Sequence, residues 1–239
     1  MRTIDKPIRL IELFAGYGSQ ALALKYLGAN FEHWKICEWA VKSIQAYKDL
    51  HFGDDNTDYS ATKTQDEVID YLYNKGISAN YNEPMTIDQI KRLGEEKQRV
   101  IYNNLIATHN LVSVCNCHAS DLEISDTDKY TYIMTYSFPC QDLSLAGKGL
   151  GMEKGAFMLA DELQLPVVPI TINGSFNIMP RTRDWHFANW HPLSLTIHQP
   201  IYPVDKGPRN IQAIMHQSYD SVMSSLVPEY QGYVENPDQ

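Results

Sequence analysis

Residues 10–20, Leu-Ile-Glu-Leu-Phe-Ala-Gly-Tyr-Gly-Ser-Gln, decide the fold of this chain. The apolar run from Ile8 to Phe14 predicts a buried strand, which breaks at Gly16 and Gly18 into a tight turn. A helix follows, because Gln20 to Leu27 has apolar residues at helical spacing. A glycine turn between a strand and a helix lets the backbone approach a ligand closely, and the helix N-terminus points its N–H groups at that ligand.

The next segments repeat this alternation of strand and helix. Phe31 to Cys37 predicts a second strand, and a helix follows Glu38 and Trp39 and runs through Leu50. Further along, Leu111 to Cys115 and Tyr130 to Tyr136 have the composition of strands. Strands that alternate with helices are typical of a parallel, doubly wound sheet, so we expect an α/β fold.

The middle of the chain, about residues 51–109, is more polar and predicts a helical insertion. Thr64 with Glu67, and Thr86 with Gln89, have the spacing of a capping box, in which two side chains satisfy backbone donors at a helix N-terminus. A third amphipathic helix is expected from Lys97 to Thr108.

Composition limits the classes of function. The 239 residues carry a formal net charge of −9, with 44% hydrophobic and 21% charged residues, which is ordinary for a soluble globular protein. No run of Lys or Arg provides the phosphate-neutralising surface that tight DNA binding needs. Four cysteines are too few for a disulfide scaffold, and no stretch predicts a signal peptide or a transmembrane segment, so we expect a cytoplasmic protein.

A candidate nucleophile follows the last of these strands. Cys140 lies in the run Ser-Phe-Pro-Cys-Gln-Asp-Leu-Ser, residues 137–144. Pro139 stiffens the turn, and the helix that should follow presents N–H groups that favour the thiolate over the thiol.

The segments around the glycine turn and Cys140, in this order, resemble DNA (cytosine-5)-methyltransferases over about residues 8–152. The resemblance implies an incomplete Rossmann-like parallel sheet of the S-adenosylmethionine-dependent type, followed by a C-terminal αβ extension. It makes Glu38 the ribose contact and Trp39 the adenine contact of S-adenosylmethionine, and Cys140 the catalytic nucleophile. An acid that the family often has at the end of its third strand aligns with Ser113, while Asp121 is the other candidate for this adenine contact. The cofactor-binding set is thus Phe14, Ala15, Gly16, Tyr17, Gly18, Ser19, Glu38, Trp39, Ser113 and Pro139.

The same resemblance implies DNA as the partner and methylation of cytosine, the reaction of restriction-modification systems. The family stabilises its cytosine adduct with a Glu-Asn-Val motif and a Gln-x-Arg-x-Arg motif, and this chain contains neither. Nothing in it resembles a target-recognition domain. We therefore expect a truncated, inactive enzyme, and a silent S-adenosylmethionine-binding module is the alternative.

Residues of about 153–239 resemble a different family, the bacterial 1-acyl-glycerol-3-phosphate acyltransferases. The resemblance rests on Lys154 to Ala160, on Leu165-Pro-Val-Val-Pro-Ile170 and on Met179 to Thr182. A fragment of phospholipid synthesis is therefore an alternative function. That family uses a His with an Asp five residues later, and none of the eight histidines has one. The chain is thus expected to be a hybrid of two parts.

Two further points depend on these interpretations. Cys115-Asn-Cys-His118 groups three metal-ligand types, but without a second cluster it cannot close a tetrahedral site, so no metal is expected. Leu165 to Ile172 predicts a strand that either extends the first sheet as a fifth strand or belongs to a separate module.

Overall fold

The computed structural model describes residues 4–136, 155–178 and 190–228. The chain divides into two compact units, residues 1–137 and residues 138–239. A domain boundary at residues 152–153, inferred from the two resemblances, stays a prediction.

The first unit is built on a three-stranded parallel sheet. Strand β1 spans Ile8–Leu13, β2 spans Phe31–Cys37 and β3 spans Thr131–Tyr136, in the order β2-β1-β3. Helix α1, Ser19–Tyr26, connects β1 to β2, and helix α2, Val41–His51, follows β2. All six residues of β1 are buried, as expected for a central strand covered on both faces. The unit therefore has a Rossmann-like α/β fold with an incomplete sheet, as the sequence predicts.

The prediction of a strand from Leu111 to Cys115 is wrong. Only one parallel bridge forms, between Ile36 and Asn110, followed by a hydrogen bond from the Leu111 N–H to the Ile36 carbonyl at 2.8 Å. Val112 then adopts a left-handed conformation with φ 70°, which ends the extended backbone. The chain continues into a short 3-10 helix, Val114–Asn116. The segment thus contacts the outer edge of β2 without becoming a strand.

Three helices occupy the insertion between the second helix and the sheet edge: α3 at Gln65–Lys75, α4 at Ile87–Arg92 and α5 at Glu95–Ala107. Both predicted capping boxes are confirmed, because Thr64 caps α3 with Glu67 and Thr86 caps α4 with Gln89. The insertion forms an apolar core with residues from α2 and from the segment after α5; its buried members are Ile44, Val68, Ile69, Leu72, Ile77, Met85, Ile90, Ile101, Tyr102, Leu105 and Val112.

The second unit contains helices α6 at Gly155–Leu163, α7 at Ser175–Ile178 and α8 at Pro208–Ser225. Strands β4, Ile170–Asn173, and β5, Ser194–Ile197, form their own antiparallel sheet of two strands. The interpretation in which this segment adds a fifth strand to the first sheet is therefore wrong.

The buried carboxylate of Asp161 links α6 to the start of α8 in this unit. It accepts hydrogen bonds from the Gly207 N–H at 2.9 Å and from the Asn210 side-chain amide at 2.6 Å. A carboxylate at this position satisfies donors at a helix N-terminus. No helix within the described residues of either unit has the length and apolar character needed to cross a membrane.

Candidate functional site

The candidate site lies at the carboxyl end of β1, where the strand order of the sheet reverses. β1 has β2 on one side and β3 on the other, and the last residue of β1, Leu13, is level with Cys37 and Tyr136. In open α/β sheets, ligands bind outside the carboxyl ends of the strands at such a switch point. The glycine turn begins at this point, between β1 and α1.

The turn is held in an unusual backbone conformation. Phe14, Gly16 and Gly18 all have positive φ angles, of 56°, 57° and 81°. The Ala15 N–H donates to the Cys37 carbonyl at 3.1 Å, and the Gly18 N–H donates to the Ala15 carbonyl at 2.8 Å. The edge of the Phe14 ring meets the Tyr136 ring, with centroids 5.3 Å apart. The first half of the turn is therefore fixed to the ends of both neighbouring strands.

The two glycines of the turn have different surroundings. A Cβ atom placed on Gly16 would meet no heavy atom of the described residues within 4 Å. A Cβ atom on Gly18 would lie 2.3 Å from His51 Nε2 and 2.7 Å from Tyr47 Cε2. Gly16 thus faces space that a ligand can use, and Gly18 allows α2 to approach the turn from the other side.

The structure brings Glu38 directly to the glycine turn. Its Oε2 accepts the Gly16 N–H at 2.9 Å and its Oε1 accepts the Ala40 N–H at 2.8 Å, with only 7% of the residue exposed. Burial raises the pKa of Glu38, while the N–H groups of Ala40 and Gly16 oppose this shift. A carboxylate can accept about four hydrogen bonds, so Glu38 keeps acceptor capacity beyond these N–H contacts.

The remaining predicted contacts surround the turn to different degrees. Trp39 is half-buried and packs against the apolar core of the insertion. Tyr17 and Ser19 are exposed at the start of α1. Pro139 and Cys140 lie outside the described residues.

Ser113 and Asp121 belong to the irregular segment after Asn110. The Ser113 N–H donates to the Leu111 carbonyl at 3.1 Å, immediately before the short 3-10 helix. Asp121 Oδ2 accepts the His118 N–H at 2.8 Å and so stabilises a local turn. Neither residue is at the end of a strand, and the adenine contact assigned to one or the other stays a prediction.

Sequence reasoning missed Glu12, a buried carboxylate near the end of β1 that contacts α1 and α2. Glu12 is 1% exposed; Oε1 accepts the Ala21 N–H at 3.2 Å in the first turn of α1, and Oε2 accepts the Tyr47 hydroxyl at 2.6 Å. Burial raises the pKa of Glu12 against these hydrogen bonds. An acid within a mainly apolar strand was the signal for it, because a buried acid needs partners.

Sequence reasoning also missed the side chains that are hydrogen-bonded in series to Glu12, namely Tyr47 of α2 and His33 of β2. The Tyr47 hydroxyl donates its single proton to Glu12, so it must accept from His33 Nδ1, 2.8 Å away. The His33 ring also lies 4.8 Å from the His51 ring, between centroids. Burial and the neighbouring His51 lower the pKa of His33 to about 4, so His33 is neutral near pH 7. Glu12, Tyr47 and His33 together form a hydrogen-bonded network, in which Glu12 and Tyr47 are buried and His33 is partly buried.

Asn110 is a further missed residue, and it fixes the backbone on the other side of Glu38. Its side chain accepts the Glu38 N–H at 3.1 Å and the Val112 N–H at 2.8 Å, and it donates to the Glu38 carbonyl at 2.9 Å. Three hydrogen bonds to one buried amide hold the end of β2 against the segment after α5. The Glu38 side chain is thereby directed toward the glycine turn.

The described residues support neither a reactive cysteine nor a metal site. Cys37 and Cys117 are buried free cysteines, and their mutual hydrogen bond together with burial raises the pKa of the Cys37 thiol, which disfavours the reactive thiolate. Across residues 4–136, 155–178 and 190–228, no group of three or more His, Cys, Asp or Glu side chains is arranged to hold a metal ion.

Two known methyltransferases are similar to this chain in sequence. The orphan methyltransferase M.SssI of Spiroplasma monobiae is 32% identical over 155 residues, which are 63% of this chain and 39% of that protein. The type II methyltransferase M2.ScrFI of Lactococcus lactis subsp. cremoris is 31% identical over 148 residues, which are 61% of this chain and 38% of that protein. These matches support the methyltransferase family. The chain spans about two fifths of the length of these two methyltransferases. No family model matches it.

Proposed function

We propose that the first unit binds S-adenosylmethionine and is the cofactor-binding part of a DNA cytosine-5 methyltransferase. The observation that carries this proposal is the 2.9 Å hydrogen bond between Glu38 and Gly16 at the switch point of the sheet. It joins the acid assigned to the ribose and the glycine assigned to the cofactor loop, although 22 residues separate them along the chain.

The described residues fit the cofactor. None of the described residues lies within 4 Å of a Cβ atom built on Gly16, so among them nothing keeps a ligand from lying against the backbone at this position. Glu38 keeps acceptor capacity beyond its N–H contacts, which suits it to bind ribose hydroxyls. Trp39, next to Glu38, offers an indole ring for stacking on adenine. The N-terminus of α1 adds a positive electrostatic potential beside the turn.

The proposed chemistry assigns one further role on this chain. S-adenosylmethionine supplies an electrophilic methyl group in DNA methyltransferases. Cys140 as thiolate would add to carbon 6 of a flipped cytosine, which makes carbon 5 nucleophilic. After transfer, a base must remove the carbon-5 proton before the thiolate can leave. The groups that stabilise this adduct belong to the two motifs that the sequence lacks, so we propose that this chain binds the cofactor without completing the reaction.

We expect no methyl transfer to duplex DNA by this chain alone. The measurement is incorporation of tritium from labelled S-adenosylmethionine into mixed-sequence DNA, with Cys140→Ser as the matched control. Equal, background counts from both proteins are the expected result, because the adduct lacks its stabilising acid and arginine. Label that depends on Cys140 would contradict the proposed incompleteness and would still support the proposed family.

The acyltransferase alternative for the second unit stays a hypothesis. Both similar proteins are methyltransferases, so they add nothing in its favour. His198, a described histidine of this unit, is hydrogen-bonded to Thr171 at 2.8 Å. No contact among the described residues favours an acyl-transfer site.

A further inference from the structure

The last turn of α2 contacts the glycine turn through His51. His51 Nε2 is 3.0 Å from the Tyr17 carbonyl, and it occupies the space that a Cβ atom on Gly18 would need. Tyr47 lies one helical turn earlier on the same face, and its ring centroid is 4.5 Å from that of His51. Among the described residues, the side-chain donor to the Tyr17 carbonyl, which lies between the two site glycines, is His51 of α2.

This contact bears on the orientation of one peptide group of the turn, the one between Tyr17 and Gly18. In a planar trans peptide the C=O and N–H groups point in opposite directions. A hydrogen bond to the carbonyl therefore also sets the direction of the N–H group of the same peptide. Left-handed backbone at Gly16 and Gly18 has little intrinsic preference over other conformations, since glycine visits many. The Gly18 N–H bond to the Ala15 carbonyl holds one end of the Tyr17–Gly18 peptide, and the His51 contact at the Tyr17 carbonyl holds the other end.

We propose that His51 is a positioning residue for the cofactor loop, acting through the Tyr17 carbonyl to hold the Gly16–Gly18 backbone in its ligand-ready conformation. The inference rests on the proposed function for its importance to the cofactor. Its structural content, that His51 fixes the turn, stands on the contacts alone. His51 does not touch the reacting atoms, so its role differs from that of Glu38.

The surroundings of His51 show what each substitution removes. Its ring packs against His33 and Tyr47, so His51→Leu keeps an apolar contact of similar size and removes the donor. His51→Gln keeps a donor at the position of Nε2. His51→Asn carries its amide one methylene shorter and does not reach the Tyr17 carbonyl. His198→Leu in the second unit is a matched control, because His198 also makes one side-chain hydrogen bond, to Thr171.

Hydrogen exchange of the ligand-free protein tests the positioning role without any cofactor. In His51→Leu, we expect the amides of residues 15–18 to exchange about two- to tenfold faster, the effect of losing one net hydrogen bond. His51→Gln should restore slow exchange, and His198→Leu should leave this segment unchanged. If His51→Leu folds poorly, His51→Asn makes the same comparison.

Titration with S-adenosylhomocysteine completes the test. We expect His51→Leu to weaken its binding by about two- to tenfold and His51→Gln to recover most of the affinity. Unchanged exchange at residues 15–18, or acceleration spread evenly over the first unit, would overturn the proposal. Equal affinity of wild type and His51→Leu would also overturn it. If the turn loosens but wild type binds no ligand, the positioning role stands and the proposed function fails.

Discussion

Gly18→Ala is expected to lower the free energy of unfolding of the first unit by about 2–4 kcal/mol. The φ angle of 81° alone costs an L-residue about 1 kcal/mol. The new Cβ would also lie 2.7 Å from a carbon of Tyr47, a fully buried side chain, and 2.3 Å from His51 Nε2. Urea denaturation measures the loss. Binding of S-adenosylhomocysteine should be lost with it, because the turn has to move to relieve the overlap.

Gly28→Ala is the control that separates backbone strain from steric overlap. Gly28 has a φ angle of 66°, and a Cβ atom there would meet none of the described residues within 4 Å. Its substitution should cost only about 1 kcal/mol, the price of left-handed backbone. If both variants lose the same stability, the close approach of α2 to the glycine turn is not what constrains residue 18.

The second large effect concerns Glu38 and the ligand. Glu38→Ala is expected to weaken S-adenosylhomocysteine binding by about 1–3 kcal/mol, because ribose hydroxyls lose their acceptor. Glu38→Gln should fall in between, since an amide oxygen can replace only one of the two carboxylate acceptors. Calorimetric titration of both variants gives the affinities. Glu96→Ala, an exposed acid on α5, is the control, and a Glu38→Ala affinity equal to that of this control would remove Glu38 from the site.

Local sequence signals predicted the framework of the first unit because short-range physics determines it. Both capping boxes depend on side chains three residues apart, which find each other in any helix that starts there. The second strand, Phe31–Cys37, agrees residue for residue with the prediction, because Gly28 ends the preceding helix and the short segment that follows leads directly into the next helix. The glycine turn and Glu38 were also paired in advance, by resemblance.

What sequence reasoning missed depends on contacts between distant residues. The run from Leu111 to Cys115 has strand composition, but a left-handed Val112 turns the chain away after a single bridge to β2. Glu12 and Arg9 interrupt an apolar strand, and only the fold supplies their partners. The Arg9 guanidinium lies 3.7 Å from the ring centroids of both Trp34 and Tyr130, a stacking that no local pattern indicates.

The second unit shows the limit of apolar alternation as a guide. In β4, Thr171 and Asn173 are buried, while Ile170 and Ile172 are about half exposed. The polar side chains face inward because they hydrogen-bond to carbonyls of α8: Thr171 Oγ1 to Val222 at 3.1 Å and Asn173 Nδ2 to Ser225 at 2.8 Å. The alternation of polar and apolar residues in β4 was visible in the sequence. Which set faces inward depends on α8, which covers one face of the β4–β5 sheet.

Calorimetric titration of the wild-type chain with S-adenosylhomocysteine tests the central claim most directly. We expect saturable binding to one site with a dissociation constant below about 1 mM, equivalent to a binding free energy of about −4 kcal/mol or better. Circular dichroism of the same sample establishes that the protein is folded. No binding heat at millimolar ligand, with a folded protein and at two temperatures, would contradict a cofactor site at the Glu38–Gly16 contact.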